Sequence, residues 1–181
     1  MRYLILFMAT VMLVFANAAK AGEEPELHPQ LEVFRPYLET YWIGDVSQPG
    51  SATPSIDRSY WQRALNGQAI KTTHSINDGE YGGESMIVWD EKKQSLAYYY
   101  FTTAGFYTHG TMRFDADDNT LEAYEQVENN VNGITAVKSF SIFNQHDGTL
   151  TTRSEYLQNG QWQPGHSASY RLSGPLEIIF Q

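Results

Sequence analysis

From residue 41 to residue 172 the chain is a succession of strand-like runs at intervals of about ten residues, and the links between them are too short for anything but antiparallel pairing. The runs cover 41–46, 59–65, 68–76, 84–90, 95–102, 106–114, 120–127, 134–144, 149–157 and 166–172. Between them stand Asn66-Gly67, Asn77-Asp78-Gly79, Ala104-Gly105, Asp117-Asp118-Asn119, Asn132-Gly133, Asp147-Gly148 and Asn159-Gly160. Asn, Asp and Gly tolerate the left-handed backbone that tight hairpins need. Parallel neighbours would need crossovers of about a dozen residues, and no such segment follows Trp42. The expected fold is therefore all-β, an antiparallel up-and-down meander. About ten strands in one open sheet would expose two edges, so closure into a barrel of about 8–10 strands is expected, with a two-sheet sandwich as the alternative.

Ahead of the strands, Leu31, Phe34, Tyr37 and Leu38 fall at helical spacing within 28–38, interrupted by Pro36. This predicts a short N-terminal helix capping one end. The first 21 residues read differently. Arg2 precedes an apolar run of about twelve residues and a small-residue stretch ending Ala19-Lys20-Ala21, the pattern of a secretory signal peptide and too short for a membrane span. Cleavage is expected after Ala21, with Ala18 as the alternative site. Residues 22–181 are then one domain, periplasmic or secreted, with no stable membrane insertion after cleavage.

Charge and cysteine usage narrow the partners. The chain carries 12 Lys and Arg against 21 Asp and Glu, a net charge of −9, and loss of Arg2 and Lys20 with the signal segment makes it more acidic still. Basic residues are scattered, with Lys92-Lys93 the only adjacent pair, so nucleic acid and anionic membrane are not expected partners. The absence of Cys excludes disulfides, thiolate metal sites, iron–sulfur ligation and cysteine nucleophiles. The five His show no paired-ligand spacing, and Asp115 to Asn119 lacks the Gly and the final Glu of a calcium loop, so neither metal nor cofactor is expected.

Phe34-Arg35-Pro36-Tyr37-Leu38 followed by Trp42-Ile43-Gly44 resembles the start of calycin-type barrels, where a short helix precedes a Trp-bearing first strand. Trp61 to Gly67, His74 to Glu84, Tyr98 to Phe106 and Arg153 to Leu157 are similar to uncharacterised bacterial exported proteins with a lipocalin-like domain of the DUF1579-related type. The resemblance implies an interior cavity for a small apolar or aromatic molecule and carries over no catalytic residue. Trp42-Ile43-Gly44 continues into Asp45-Val46-Ser47 and so departs from the pattern of haem-binding nitrobindins, which argues against haem.

Aromatic residues interleaved with polar ones are what a ligand cavity needs, because burial supplies affinity while donors and acceptors orient the ligand. The candidate ligand-binding residues are Trp61, Arg63, His74, Glu84, Tyr98, Tyr100, Thr108, His109, Arg153 and Glu155. His74 and Glu84 flank a hairpin turn and are expected to approach one another, as a structural contact or as a proton-transfer pair. Arg63 or Arg153, if turned inward, would hold an anionic head group, while an outward position would make them surface ion pairs. Three function classes follow: a small-molecule binding barrel, a barrel enzyme using a His and a carboxylate, and an interaction module or homodimer associating through Tyr98-Tyr99-Tyr100. The direction of Tyr98 and Tyr100 relative to Tyr99 discriminates between the first and the last.

Overall fold

The computed structural model describes residues 26–48, 50–144 and 146–181; the expected signal peptide, residues 1–21, lies outside the described residues. Ten strands form one closed antiparallel barrel: β1 (Thr40–Asp45), β2 (Ile56–Ala64), β3 (Ala69–Ile76), β4 (Tyr81–Asp90), β5 (Ser95–Thr102), β6 (Tyr107–Asp115), β7 (Thr120–Glu128), β8 (Ile134–Asn144), β9 (Thr149–Gln158) and β10 (Gln161–Ser173). Each strand pairs with its sequence neighbours, and β10 returns to β1, with Gly44 opposite Tyr170. Closure satisfies both edges and excludes the sandwich. Asn159 and Gly160 both take positive φ, 52° and 78°, as the two-residue turn between β9 and β10 requires. β10 begins earlier than its sequence suggests, because Gln161 to Pro164 pair with β9 before an irregularity between Pro164 and Ser167.

The N-terminal helix is present as a 3-10 helix, Pro29–Tyr37. The Pro36 ring would crowd the Glu32 carbonyl, four residues back, in α-helical winding, and Pro36 offers no backbone donor, which opposes a regular α-helix here. His28 caps it, its Nδ1 accepting from the Gln30 backbone N–H at 3.3 Å. Leu31 and Phe34 are wholly buried and Tyr37 nearly so, against Trp42, Ile70, Ile87, Leu96, Leu121 and Leu150 from the barrel wall. These residues fill one end of the barrel as a solid core. Burying each large apolar side chain is worth about 1.5–3 kcal/mol, so the plug is a major part of the stability.

Beyond the plug the wall changes character. Inward positions become Asp57 and Ser59 on β2, Thr72 and His74 on β3, Ser85 on β4, Tyr98 and Tyr100 on β5, Thr108 on β6 and Glu125 on β7. The barrel is thus an apolar closed end joined to a polar and aromatic lumen. Outside, the C-terminal residues run back across β3 and β4: the Ile179 backbone N–H donates to Ser75 Oγ at 3.2 Å, which leaves Ser75 wholly buried although it faces away from the lumen.

Candidate functional site: a tyrosine-lined lumen

The lumen holds a cavity of about 720 Å³, with the Tyr37 and Trp61 rings at its floor, stacked at 5.2 Å between centres. That volume suits a small organic molecule. A hydrogen-bonded row crosses it. Asp57 Oδ2 accepts from the Tyr170 hydroxyl at 2.9 Å, and Oδ1 lies 2.8 Å from His74 Nδ1. His74 Nε2 is 2.7 Å from the Tyr100 hydroxyl, which is 2.9 Å from that of Tyr81. With the Asp57 carboxylate on Nδ1, the neutral ring carries its proton there and accepts from Tyr100 through Nε2. With the proton on Nε2 instead, the ring donates to the Tyr100 hydroxyl and Tyr100 donates to that of Tyr81.

Two glycines seat the tyrosines. Gly44 stands opposite Tyr170 and Gly83 opposite His74. A Cβ on Gly44 would come within 2.5 Å of the Tyr170 ring, and one on Gly83 within 2.6 Å of the Tyr100 ring. Each ring therefore lies flat over a residue without a side chain, which aims its hydroxyl at Asp57 or His74. Burial pushes the hydroxyls of Tyr98 and Tyr170 well above the ordinary phenol range and raises Tyr81 and Tyr100 as well, so these are neutral donors throughout the physiological range.

Opposite the row lies Glu125, buried on β7 at 7% exposure. Thr108 Oγ1 donates to its Oε2 at 2.6 Å and Ser139 Oγ to its Oε1 at 3.5 Å. Desolvation raises its pKa from the ordinary carboxylate value, and the two hydroxyl bonds offset only part of this. His166 faces the lumen from β10 beside Tyr156, whose hydroxyl is 2.5 Å from its Nδ1. Desolvation lowers the His166 pKa, with Asp57 opposing and His74 reinforcing the shift.

The ten residues expected from the sequence divide by position. Trp61, His74, Tyr98, Tyr100 and Thr108 line the cavity, and Arg153 borders it. Arg63 shares their face but lies at the capped end, its Nε donating to the Glu26 carbonyl at 2.8 Å. Glu84 does not meet His74: the register sets it opposite Thr73, one residue out of phase, and on the outer wall it pairs with Lys71 at 2.7 Å. His109 is also outside, 3.5 Å from Glu128 and stacked on Tyr99. Arg153 rests its guanidinium over the outer-wall Phe140 ring, 3.8 Å from the ring centre, and Glu155 follows it on that side. The lumen side of β9 is instead Thr152, Ser154 and Tyr156. Both guanidinium groups are thus engaged elsewhere, Arg63 on the Glu26 carbonyl and Arg153 over Phe140.

Sequence reasoning missed Asp57, Glu125, Tyr170, Tyr81 and His166. Asp57 reads as a loop residue because its strand begins at Ile56, three residues before the expected start. Glu125 lies in an expected strand, and its alternation with the outward Tyr124 and Gln126 was the available signal. Among the described residues, no group of three or more His, Asp or Glu gathers to hold a metal.

No protein-family model and no curated protein sequence matches the chain. Among solved structures it is similar to the crystal structure of Rv2717c from M. tuberculosis, with a TM-score of 0.63 and 12% identity, covering 82% of this chain and the whole of that one. At that identity the likeness concerns the fold alone: the chain is an all-β protein whose closed antiparallel barrel has a counterpart in that M. tuberculosis protein.

Proposed function

We propose that the chain is an exported, lipocalin-like barrel of the calycin type, related to the DUF1579 proteins, that carries a small apolar or aromatic molecule in its lumen. The observation that supports this best is the division of Tyr98, Tyr99 and Tyr100. The first and third line the cavity of about 720 Å³, and the second is 45% exposed outside. Rings turned onto a void offer a ligand apolar contact, while Ser85, Thr108 and the tyrosine hydroxyls offer orientation. The signal-like residues 1–21 support action in the periplasm or medium, and the acidic balance favours neither nucleic acid nor anionic membrane as partner.

The neutral fluorophore N-phenyl-1-naphthylamine tests this. Residues 22–181 are expected to bind one equivalent with enhanced emission, and Ser139→Trp, which fills the lumen from β8, is expected to weaken binding at least tenfold. Failure of the wild-type chain to bind, or binding that Ser139→Trp leaves intact, overturns the proposal. Native mass spectrometry of protein purified without denaturation would then identify any co-purifying ligand.

The Asp57–His74–Tyr100 row favours a second function on the same barrel, proton transfer at an apolar carbonyl substrate. His74 would take or return the proton, and Tyr100 and Tyr81 would hydrogen-bond the oxygen on which charge develops. Deuterium exchange α to the carbonyl of a cyclic ketone, catalysed by the wild-type chain and lost in His74→Gln, is the test. Equal exchange in both removes His74 from such a role.

A further inference from the structure

The lumen is acidic as well as aromatic. Asp57 and Glu125 are the two carboxylates among its described lining residues, which include no Lys, and the one Arg, Arg153, holds its guanidinium over Phe140 on the outer wall. Both His74 ring nitrogens are engaged, and the Tyr156 hydroxyl occupies His166 Nδ1. Among the described lining residues, no Lys or Arg charge is therefore turned toward a ligand.

The two carboxylates differ in what they still lack. Asp57 has a tyrosine hydroxyl on one oxygen and a histidine on the other. Glu125, equally buried, has only the Thr108 and Ser139 hydroxyls and no countercharge. A buried carboxylate without a cation is costly, and a ligand that brings one recovers that cost as affinity. The rings of Tyr98, Tyr100 and Phe106 line the same cavity, and an aromatic face attracts a cation further. The net charge of −9 draws cations toward the barrel from solution.

We propose that the lumen binds an amine carried on an apolar or aromatic body, its ammonium set against Glu125 and its body against the tyrosine rings. This rests on the binding-barrel function above and names the ligand class. It replaces the anionic head group that an inward arginine would have held.

The test compares three probes of one shape by calorimetry at neutral pH: tryptamine, the neutral alcohol tryptophol, and indole-3-acetate. Tryptamine is expected to bind at least tenfold more tightly than tryptophol, and indole-3-acetate more weakly than either. Glu125→Gln is expected to bring tryptamine down to the level of tryptophol while leaving tryptophol unchanged. If that variant does not fold, proton release decides the matter. At about pH 5, tryptamine binding to the wild-type chain is expected to expel a fraction of a proton, read from the dependence of the heat on buffer ionisation. Equal or tighter binding of the alcohol or the acid overturns the amine proposal, as does insensitivity to Glu125→Gln or the absence of proton release. If none of the three binds while N-phenyl-1-naphthylamine still does, the amine is overturned and the binding barrel stands. If the fluorophore also fails, both fall.

Discussion

His74 Nε2 lies 2.7 Å from the Tyr100 hydroxyl, across two strands that are not neighbours, β3 and β5. The strand between them, β4, presents Gly83 at that level, and the Tyr100 ring passes over it to reach the imidazole. The contact depends on a missing side chain as much as on the two that touch.

Gly83→Ala is therefore expected to break the row. Its Cβ would meet the Phe101 carbonyl oxygen at 2.2 Å and the Tyr100 ring at 2.6 Å, so backbone and ring must both move. Overpacking of this kind costs about 1–3 kcal/mol. Chemical denaturation should show that loss, and the ring-nitrogen NMR shifts of His74 should change with it. A variant of unchanged stability with unchanged His74 shifts would show that Gly83 does not seat Tyr100.

Removing Asp57 strands two groups. It is 5% exposed and accepts from Tyr170 while facing His74 Nδ1, so Asp57→Ala leaves a buried phenol and an imidazole nitrogen without partners. The expected loss is about 2–4 kcal/mol, with Asp57→Asn intermediate because its amide keeps an acceptor for Tyr170. Melting temperatures of the three proteins rank them, and an unaffected Asp57→Ala would refute the assignment.

Glu125 should make stability depend on pH. Its folded pKa is raised, so the folded chain keeps a proton that the unfolded chain gives up at about pH 4.3. Stability then falls as pH rises from the unfolded value to the raised one, and the deficit persists above it. Glu125→Gln removes this dependence. The variant is expected to melt above wild type at pH 7, with the difference vanishing near pH 4. A difference constant across that range would contradict the shift.

The capped end should carry the fold independently of the lumen. Phe34 and Trp42 are wholly buried in the plug, and truncating either to Ala is expected to cost about 3–5 kcal/mol. Denaturant midpoints measure it. By contrast, Glu84→Ala removes an outer-wall ion pair and Arg153→Ala a guanidinium that rests over Phe140, so fluorophore affinity should stay within about twofold of wild type. A larger loss in either would place that side chain at the lumen.

Strand content, antiparallel pairing and the capping helix were legible in the sequence because each is a local property. Period-two patterning, Asn-Gly turns and links too short for a crossover act within about ten residues, and they set all ten strands with end points within about three residues except the start of β10, which lies five residues earlier than expected. The 3-10 form of the helix was less legible, since Pro36 announces an interruption without saying how the chain will accommodate it.

Which face turns inward, and which residues then meet, was decided by the tertiary structure. Alternation marks two faces of every strand but does not say which is the lumen when both are mixed, so Trp61 and Tyr98 could be chosen together with Arg153 and His109. The hairpin of β3 and β4 brought Glu84 to the level of Thr73, not His74, because side-chain direction reverses with every residue and a register offset of one places a pair on opposite walls. The partner of His74 came instead from Asp57 on β2, and the second oxygen of Asp57 was met by Tyr170, 113 residues along the chain. Only closure of β10 onto β1 brings those two together, and closure is a property of the whole sheet that no local run of residues encodes.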